Sequence, residues 1–438
     1  MFLTTVGRTT RPNERTSILT TSLSSSRVAT GLAGRRRLAL LALAASLLAA
    51  LGSAPAQAGR TSSEFAASLA DAERAPFQAY IAAQSHYAAS LDSYWKAVYD
   101  KRVHRKRKKA ANQALVADDY VVTFPPTYGG PTLPPDLAKR WDTFQEKKEA
   151  EGPPPTPKPG LQDFLSNARE QFDFTPEQIP EREFKLRYAR EALALGLSKD
   201  QVVRIYALET SGLGTADMVA GIHPIKKTGK PISTAIGYAQ LLAANSVSEI
   251  AKSGPAFAER LQRMSVRSDI DFERAARLQA KIESLKRMIA AARSIPNEWD
   301  NHMAYARTAK GMGIHAINLD GDVGPWLQVI KVNGLRETAA RKGMNNLAGS
   351  EIELMNLAGP LTGIEMMRPV GRKVPTTNFF ERQAYARNTI VRGKTAGELI
   401  LALDQRMEEN IVNPGAIEFN EVFDQAAAER QGTAAAQR

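Results

Sequence analysis

The stretch ALETSGLGTADM, residues 207 to 218, sets one carboxyl group, Glu209, where it could move a proton. Ser198 and Gln201 have the spacing of a reciprocal cap, so a helix is expected to start near Ser198. Val202, Ile205, Tyr206 and Glu209 follow at i, i+3, i+4 and i+7, which puts the carboxyl on the apolar face. Gly212 and Gly214 end the helix and leave Glu209 in its last turn. The helix dipole is unfavourable to negative charge there, and burial disfavours the ionised form further. A carboxylic acid held protonated near neutral pH is the proton donor a glycosidic oxygen needs. The bland alternative is a helix-end glutamate that reaches solvent.

A hydrolase built on this acid requires a second carboxylate across the cleft. The sequence offers Asp217, beyond the glycine turn, and Asp320 and Asp322 in NLDGDVGPWLQ. The Asp-x-Asp pair there lacks the other ligand positions of a calcium loop, so it reads as a turn or helix cap. No metal site and no cofactor is expected.

A second segment changes the weight of the first. AIGYAQLL, residues 235 to 242, reads as a helix-like stretch with Gly237, Tyr238, Ala239 and Gln240 at its start. Glu209-Thr210 together with Gly237-Tyr238-Ala239-Gln240 resembles the Glu-Ser and Gly-Leu-Met-Gln motifs of the soluble lytic transglycosylase family. The resemblance implies a lysozyme-like fold and cleavage of peptidoglycan between N-acetylmuramic acid and N-acetylglucosamine. It also implies that one glutamate works alone. Glu209 would protonate the glycosidic oxygen, then take a proton from the sugar's own 6-hydroxyl as a 1,6-anhydro ring closes. Thr210 or Ser211 would touch the N-acetyl region, and Gly237, Tyr238 and Gln240 would line the glycan cleft. Thr210 and Ser211 also fit as hydrogen bonders of the helix end, and Tyr238 fits core as well as cleft. Gln240 is the stronger cleft candidate, because a polar group beside Leu241 and Leu242 needs a partner. The family's third motif, Tyr-Asn-Ala-Gly, is missing. ELMNLAGP, residues 353 to 360, keeps only Asn356, Ala358 and Gly359, and Tyr385 offers a hydroxyl from another position or is a structural tyrosine.

These residues need a frame. Arg35 to Arg37 precede an apolar run from Leu38 to Leu51, and Ala56-Gln57-Ala58 gives a small-x-small cleavage pattern. Residues 1–58 therefore read as a signal peptide, the protein as periplasmic or secreted, and Gly59 as the first mature residue. The run is shorter than the ~20 residues of a spanning helix. Residues 59–119 read as a helical region with an aromatic stripe from Phe77 to Val98, Pro76 starting or kinking it, and a basic run over residues 101–110. That run is a solvated helix end or a contact for an anionic envelope surface. The proline-punctuated residues 120–160 read as a linker. Residues 161–397 read as the lysozyme-like domain, with a small β-hairpin at Thr228-Gly229 and a long helix over 268–293 capped by Ser268. Residues 398–438 read as a C-terminal helix and a frayed tail.

The fold class expected is thus mainly α: a lysozyme-like domain with a small hairpin, preceded by a long-helix region. The chain has no cysteine, so a hydrophobic core must hold it together. Its formal charge is +12, and loss of residues 1–58, with seven arginines and one glutamate, leaves +6. A basic exported chain suits an anionic partner such as the cell wall. Nucleic acid is not expected as a partner of an exported chain without a recognised binding motif. Peptidoglycan glycan strands are the expected partner. The rival readings are a non-catalytic peptidoglycan-binding module and an envelope structural protein on the same fold.

Overall fold

The computed structural model describes residues 55–152 and 156–436. The expected class holds at the coarse level: the described residues are mainly helical and contain no sheet. The arginines and apolar run of the signal lie outside the described residues, while Ala56-Gln57-Ala58 falls in the first turn of the first helix. No helix among the described residues is long and apolar enough to cross a membrane.

Three helices form an N-terminal arm: α1 (Pro55–Ala67), α2 (Asp71–Ala110) and α3 (Pro135–Ala150). Pro76 lies inside α2, which starts five residues earlier. Phe65, Leu69, Phe77, Leu137 and Trp141 give the arm a small core of its own, with ring centroids of Phe65, Phe77 and Trp141 about 5 Å apart. Residues 120–160 are therefore not a plain linker. Pro134-Pro135 and Asp136 form a strong helix start, and Leu137, Trp141 and Phe144 recur at i, i+4 and i+7 to bury one face of α3.

The basic run is mostly consumed within the molecule. Arg105 is buried and donates to Glu365 at 2.9 Å, to the Asp119 carbonyl at 3.0 Å and to the Asn378 carbonyl at 2.6 Å. Arg102 pairs with Glu381, Lys109 with Glu365, and Lys108 with Asp119 at 2.7 Å. Asn378 completes the joint by pairing with the Val121 backbone in both directions. The strip thus fastens α2 to the main body, and Lys106 and Arg107 remain exposed.

The main body runs through α4 (Leu161–Phe172), α5 (Glu181–Ala194), α6 (Lys199–Thr210), α7 (Ala243–Ser265), α8 (Phe272–Arg293), α9 (Trp299–Tyr305) and α10 (Ala309–His315). It continues through α11 (Val323–Ala340), α12 (Gly349–Ala358), α13 (Pro360–Met367), α14 (Pro369–Arg372), α15 (Arg382–Arg387), α16 (Ala396–Ile411) and α17 (Pro414–Ala436). One continuous core spans it from Tyr120 and Phe164 to Ala426. The boundary expected at residue 397 is not present. Leu399, Leu403 and Met407 of α16, and Phe419, Val422 and Phe423 of α17, recur at helical spacing and are buried in that same core. The tail expected to fray is helical to Ala436.

Two smaller expectations also change. Asp271, not Ser268, caps α8, its carboxylate accepting the Arg274 N–H at 2.6 Å. Around Thr228-Gly229 the chain makes a turn closed by His223 N–H to the Thr228 carbonyl at 2.8 Å, with Ile222 and Gly229 paired as a single antiparallel bridge. No strand runs through the described residues.

Candidate active site

Helix α6 carries Glu209 through the middle of the body. Its reciprocal cap forms as expected: Ser198 Oγ accepts from Gln201 N–H at 3.2 Å, and Gln201 Oε1 accepts from Ser198 N–H at 3.0 Å. Every residue from Gln201 to Thr210 is buried. Ser211 (φ 54°) and Gly212 (φ 64°) then turn the chain into the left-handed region and stop the helix. The freed carbonyls are satisfied from the start of α17, where Asn413 Nδ2 donates to Ser211 O at 2.9 Å and Ala416 N–H to Gly212 O at 3.1 Å.

The Glu209 carboxyl is 4% exposed and faces α12. Asn356 Nδ2 donates to Glu209 Oε1 at 3.0 Å and to Glu353 Oε1 at 3.1 Å. Glu353, 1% exposed, is itself within hydrogen-bond reach of Glu209. Lys331 of α11 brings the positive charge of the group. Burial first, and the Glu353 charge second, push the Glu209 carboxyl well above the usual range, against the pull of Lys331 and Asn356. Burial also raises Glu353, to about 7. It lowers Lys331, whose ammonium is held up by Glu209, Glu353 and Glu249. Beside the acids lies a cavity of about 10 Å³ lined by Ile205, Ala239, Lys331, Glu353 and Asn356. That is room for one water molecule at most.

The three candidates for a second carboxylate lie elsewhere. Asp320 and Asp322 meet the ammonium of Lys281, at 2.9 Å for Asp320, and Arg274 and Arg187 also bind Asp322. Asp320 further caps its own turn through the N–H groups of Asp322 and Val323, each at 3.1 Å. Asp217 pairs with Lys227 at 3.1 Å. The carboxylate that faces Glu209 is Glu353, which was not among the candidates. The signal was present in its spacing: Glu353 and Asn356 stand three apart in the otherwise apolar stretch from Ile352 to Ala358, so two polar groups share one face.

The other predicted site residues divide. AIGYAQLL is a tight turn, not a helix: Ile236 and Leu241 pair across it, and α7 begins only at Ala243. Gly237 (φ 76°) is required there, because a Cβ would collide with the Gln328 amide that accepts the Tyr238 N–H at 2.8 Å. Tyr238 belongs to the core. Its ring packs edge-on against Tyr206 at 5.0 Å and Phe184 at 5.3 Å, and its hydroxyl donates to Glu181. Gln240 folds back on its own turn, Nε2 donating to Gly237 O at 2.8 Å. Only Ala239 of this segment borders the acid cavity. Thr210 is fully buried and donates to the Tyr206 carbonyl at 2.6 Å, so it serves the helix end. Ser211 is partly exposed at the turn. Tyr385 packs on Trp95 of the arm at 5.5 Å and accepts the Gly393 N–H at 2.9 Å, away from Glu209.

No protein-family model, no curated protein and no solved structure matches this chain.

Proposed function

We propose that the protein is an exported lytic transglycosylase on a lysozyme-like fold, cleaving peptidoglycan between N-acetylmuramic acid and N-acetylglucosamine. The observation that carries the reading is the Asn356–Glu209 hydrogen bond at 3.0 Å. It joins Asn356 of ELMNLAGP, which keeps only a remnant of the missing third motif, to the acid of the first motif, while Ala239 of the second borders the cavity beside the acids. Glu209, held protonated by burial, gives its proton to the glycosidic oxygen as the C1–O bond breaks. The carboxylate left behind takes the proton of the 6-hydroxyl as O6 bonds to C1. The internal hydroxyl supplies the effective concentration that free water lacks. The signal over residues 1–58 would deliver the protein to the periplasm. Of the basic run, exposed Lys106 and Arg107 are left to face an anionic envelope surface.

A second reading, a module that holds glycan without cutting it, is favoured by two observations. Both acids are almost fully buried, with only a water-sized cavity beside them, and Tyr385 is not beside Glu209. Under the enzymatic reading the elements covering the acids must move to admit a sugar. Digestion of purified sacculi, with the products weighed, separates the two. Products ending in 1,6-anhydro-N-acetylmuramic acid, one water lighter than the hydrolytic product, are expected. Reducing ends alone would refute the transglycosylase mechanism and point to hydrolysis by water. Retention on sacculi with no products would establish the binding module.

A further inference from the structure

We propose that Glu209 and Glu353 hold one proton between them and act as a single acid unit, clamped by Asn356 and balanced by Lys331. The use of this unit in turnover rests on the proposed function; the pairing itself does not. Its basis is geometric. One amide nitrogen lies 3.0 Å from a Glu209 oxygen and 3.1 and 3.3 Å from the two Glu353 oxygens. An amide has two N–H groups, so one nitrogen can serve both carboxyls. The carboxyls are also within hydrogen-bond reach of each other, and two bare carboxylates so placed repel. A proton between them turns that contact into a hydrogen bond.

Lys331 is the cation beside the pair, lining the same small cavity as Glu353 and Asn356. Lys331 approaches from α11, and Glu249 of α7 acts on Lys331. Arg204, on α6 itself, is taken up by Asp200, Asp404 and Glu408. A pair with one proton carries a single negative charge, which Lys331 cancels. With two protons Lys331 loses its buried counter-charge, and with none the pair carries an uncompensated one. In turnover Glu209 passes the proton to the glycosidic oxygen while Glu353 stays a carboxylate. The two adjacent charges then raise the proton affinity of Glu209, which takes the proton from the 6-hydroxyl. Glu353 is thus a positioning residue that holds the proton on Glu209 beforehand and draws it back afterwards.

The test is a ¹³C titration of the full chain labelled at the glutamate carboxyl carbons, in wild type and Glu353→Gln. Wild type is expected to show two coupled steps, the upper one beyond the ordinary glutamate range. In Glu353→Gln the Glu209 step is expected to fall by roughly one pH unit or more and to lose its coupling. An unchanged Glu209 step would overturn the proposal. If Glu353→Gln does not fold, Glu209→Gln gives the reciprocal reading: the Glu353 carbon should titrate in one uncoupled step in place of two, and a two-step Glu353 titration that survives overturns the proposal equally. In an active protein, the alkaline limb of kcat/KM moves down with the Glu209 step. Coupled steps in a protein that cuts no glycan would sink the proposed function and keep the shared proton. Cleavage without coupled steps would do the reverse.

Discussion

Arg105→Met cuts a buried tie between the N-terminal arm and the body. The guanidinium is buried, spans Glu365, Asp119 and Asn378, and lies 4.4 Å over the Tyr120 ring. Removing one partner of a buried ion pair typically costs about 3–5 kcal/mol. The lower end applies here, because Lys109 still pairs with Glu365 and the Tyr120 hydroxyl still donates to it at 3.2 Å. A loss of about 3 kcal/mol raises the local opening equilibrium roughly a hundredfold. The arm keeps its own core of Phe65, Phe77, Leu137 and Trp141, so it should detach without unfolding. Native-state hydrogen exchange reads this directly: protection should fall over residues 98–110 and 376–381 and persist over α3. The double variant Arg105→Met/Glu365→Met removes both charges and should recover most of the loss. Unchanged exchange in the single variant, or a double variant worse than the single, would refute the reasoning.

Glu209→Gln should reduce glycan cleavage by about 100- to 10,000-fold while leaving the thermal unfolding profile intact, since the amide is nearly isosteric but has no acidic proton; release of muropeptides at the wild-type rate would exclude Glu209 as the acid. Amino-terminal sequencing of the native protein should begin at Gly59, and an intact Ala56-Gln57-Ala58 in the cytoplasm would count against export. His315 is fully buried, with Nδ1 2.8 Å from Ser246 Oγ and Nε2 2.6 Å from the Thr234 carbonyl, and burial lowers its pKa to about 4. A folded pKa depressed below the unfolded ~6.5 gives stability that is present above pH ~6.5 and lost as pH falls through 4. The His315 imidazole resonance should stay neutral to about pH 4, and titration near 6.5 would show that burial does not govern it.

The helix bearing Glu209 was legible in the sequence because its cap, its apolar spacing and its glycine stop are local and agree. The second motif was harder. Glycine, tyrosine and glutamine in AIGYAQLL suit several conformations, and Gln328, 88 residues beyond Gln240, decides the turn by accepting the Tyr238 N–H. The role of Tyr238 was open for the same reason. A tyrosine ring and hydroxyl fit a cleft or a core, and Tyr206, Phe184 and Glu181 from two other helices make it core. The acid pair was hidden by distance, with Glu353 lying 144 residues after Glu209. The basic run looked like surface because its partners Glu365, Asn378 and Glu381 are some 260 to 280 residues away.

The seating of α17 also fixes when the acid can be assembled. Phe419 packs against Tyr188, Tyr206 and Tyr238, and Asn413 and Ala416 satisfy the carbonyls at the end of α6. The helix that carries Glu209 is therefore finished by residues more than 200 positions later in the chain. During synthesis at about 5–20 residues per second, those residues arrive some ten to forty seconds after α6 has been made. Until then Tyr206 and Tyr238 lack the ring that covers them. A chain interrupted before α17 would present an aromatic patch, a target for chaperone capture and proteolysis, and could not hold a buried acid.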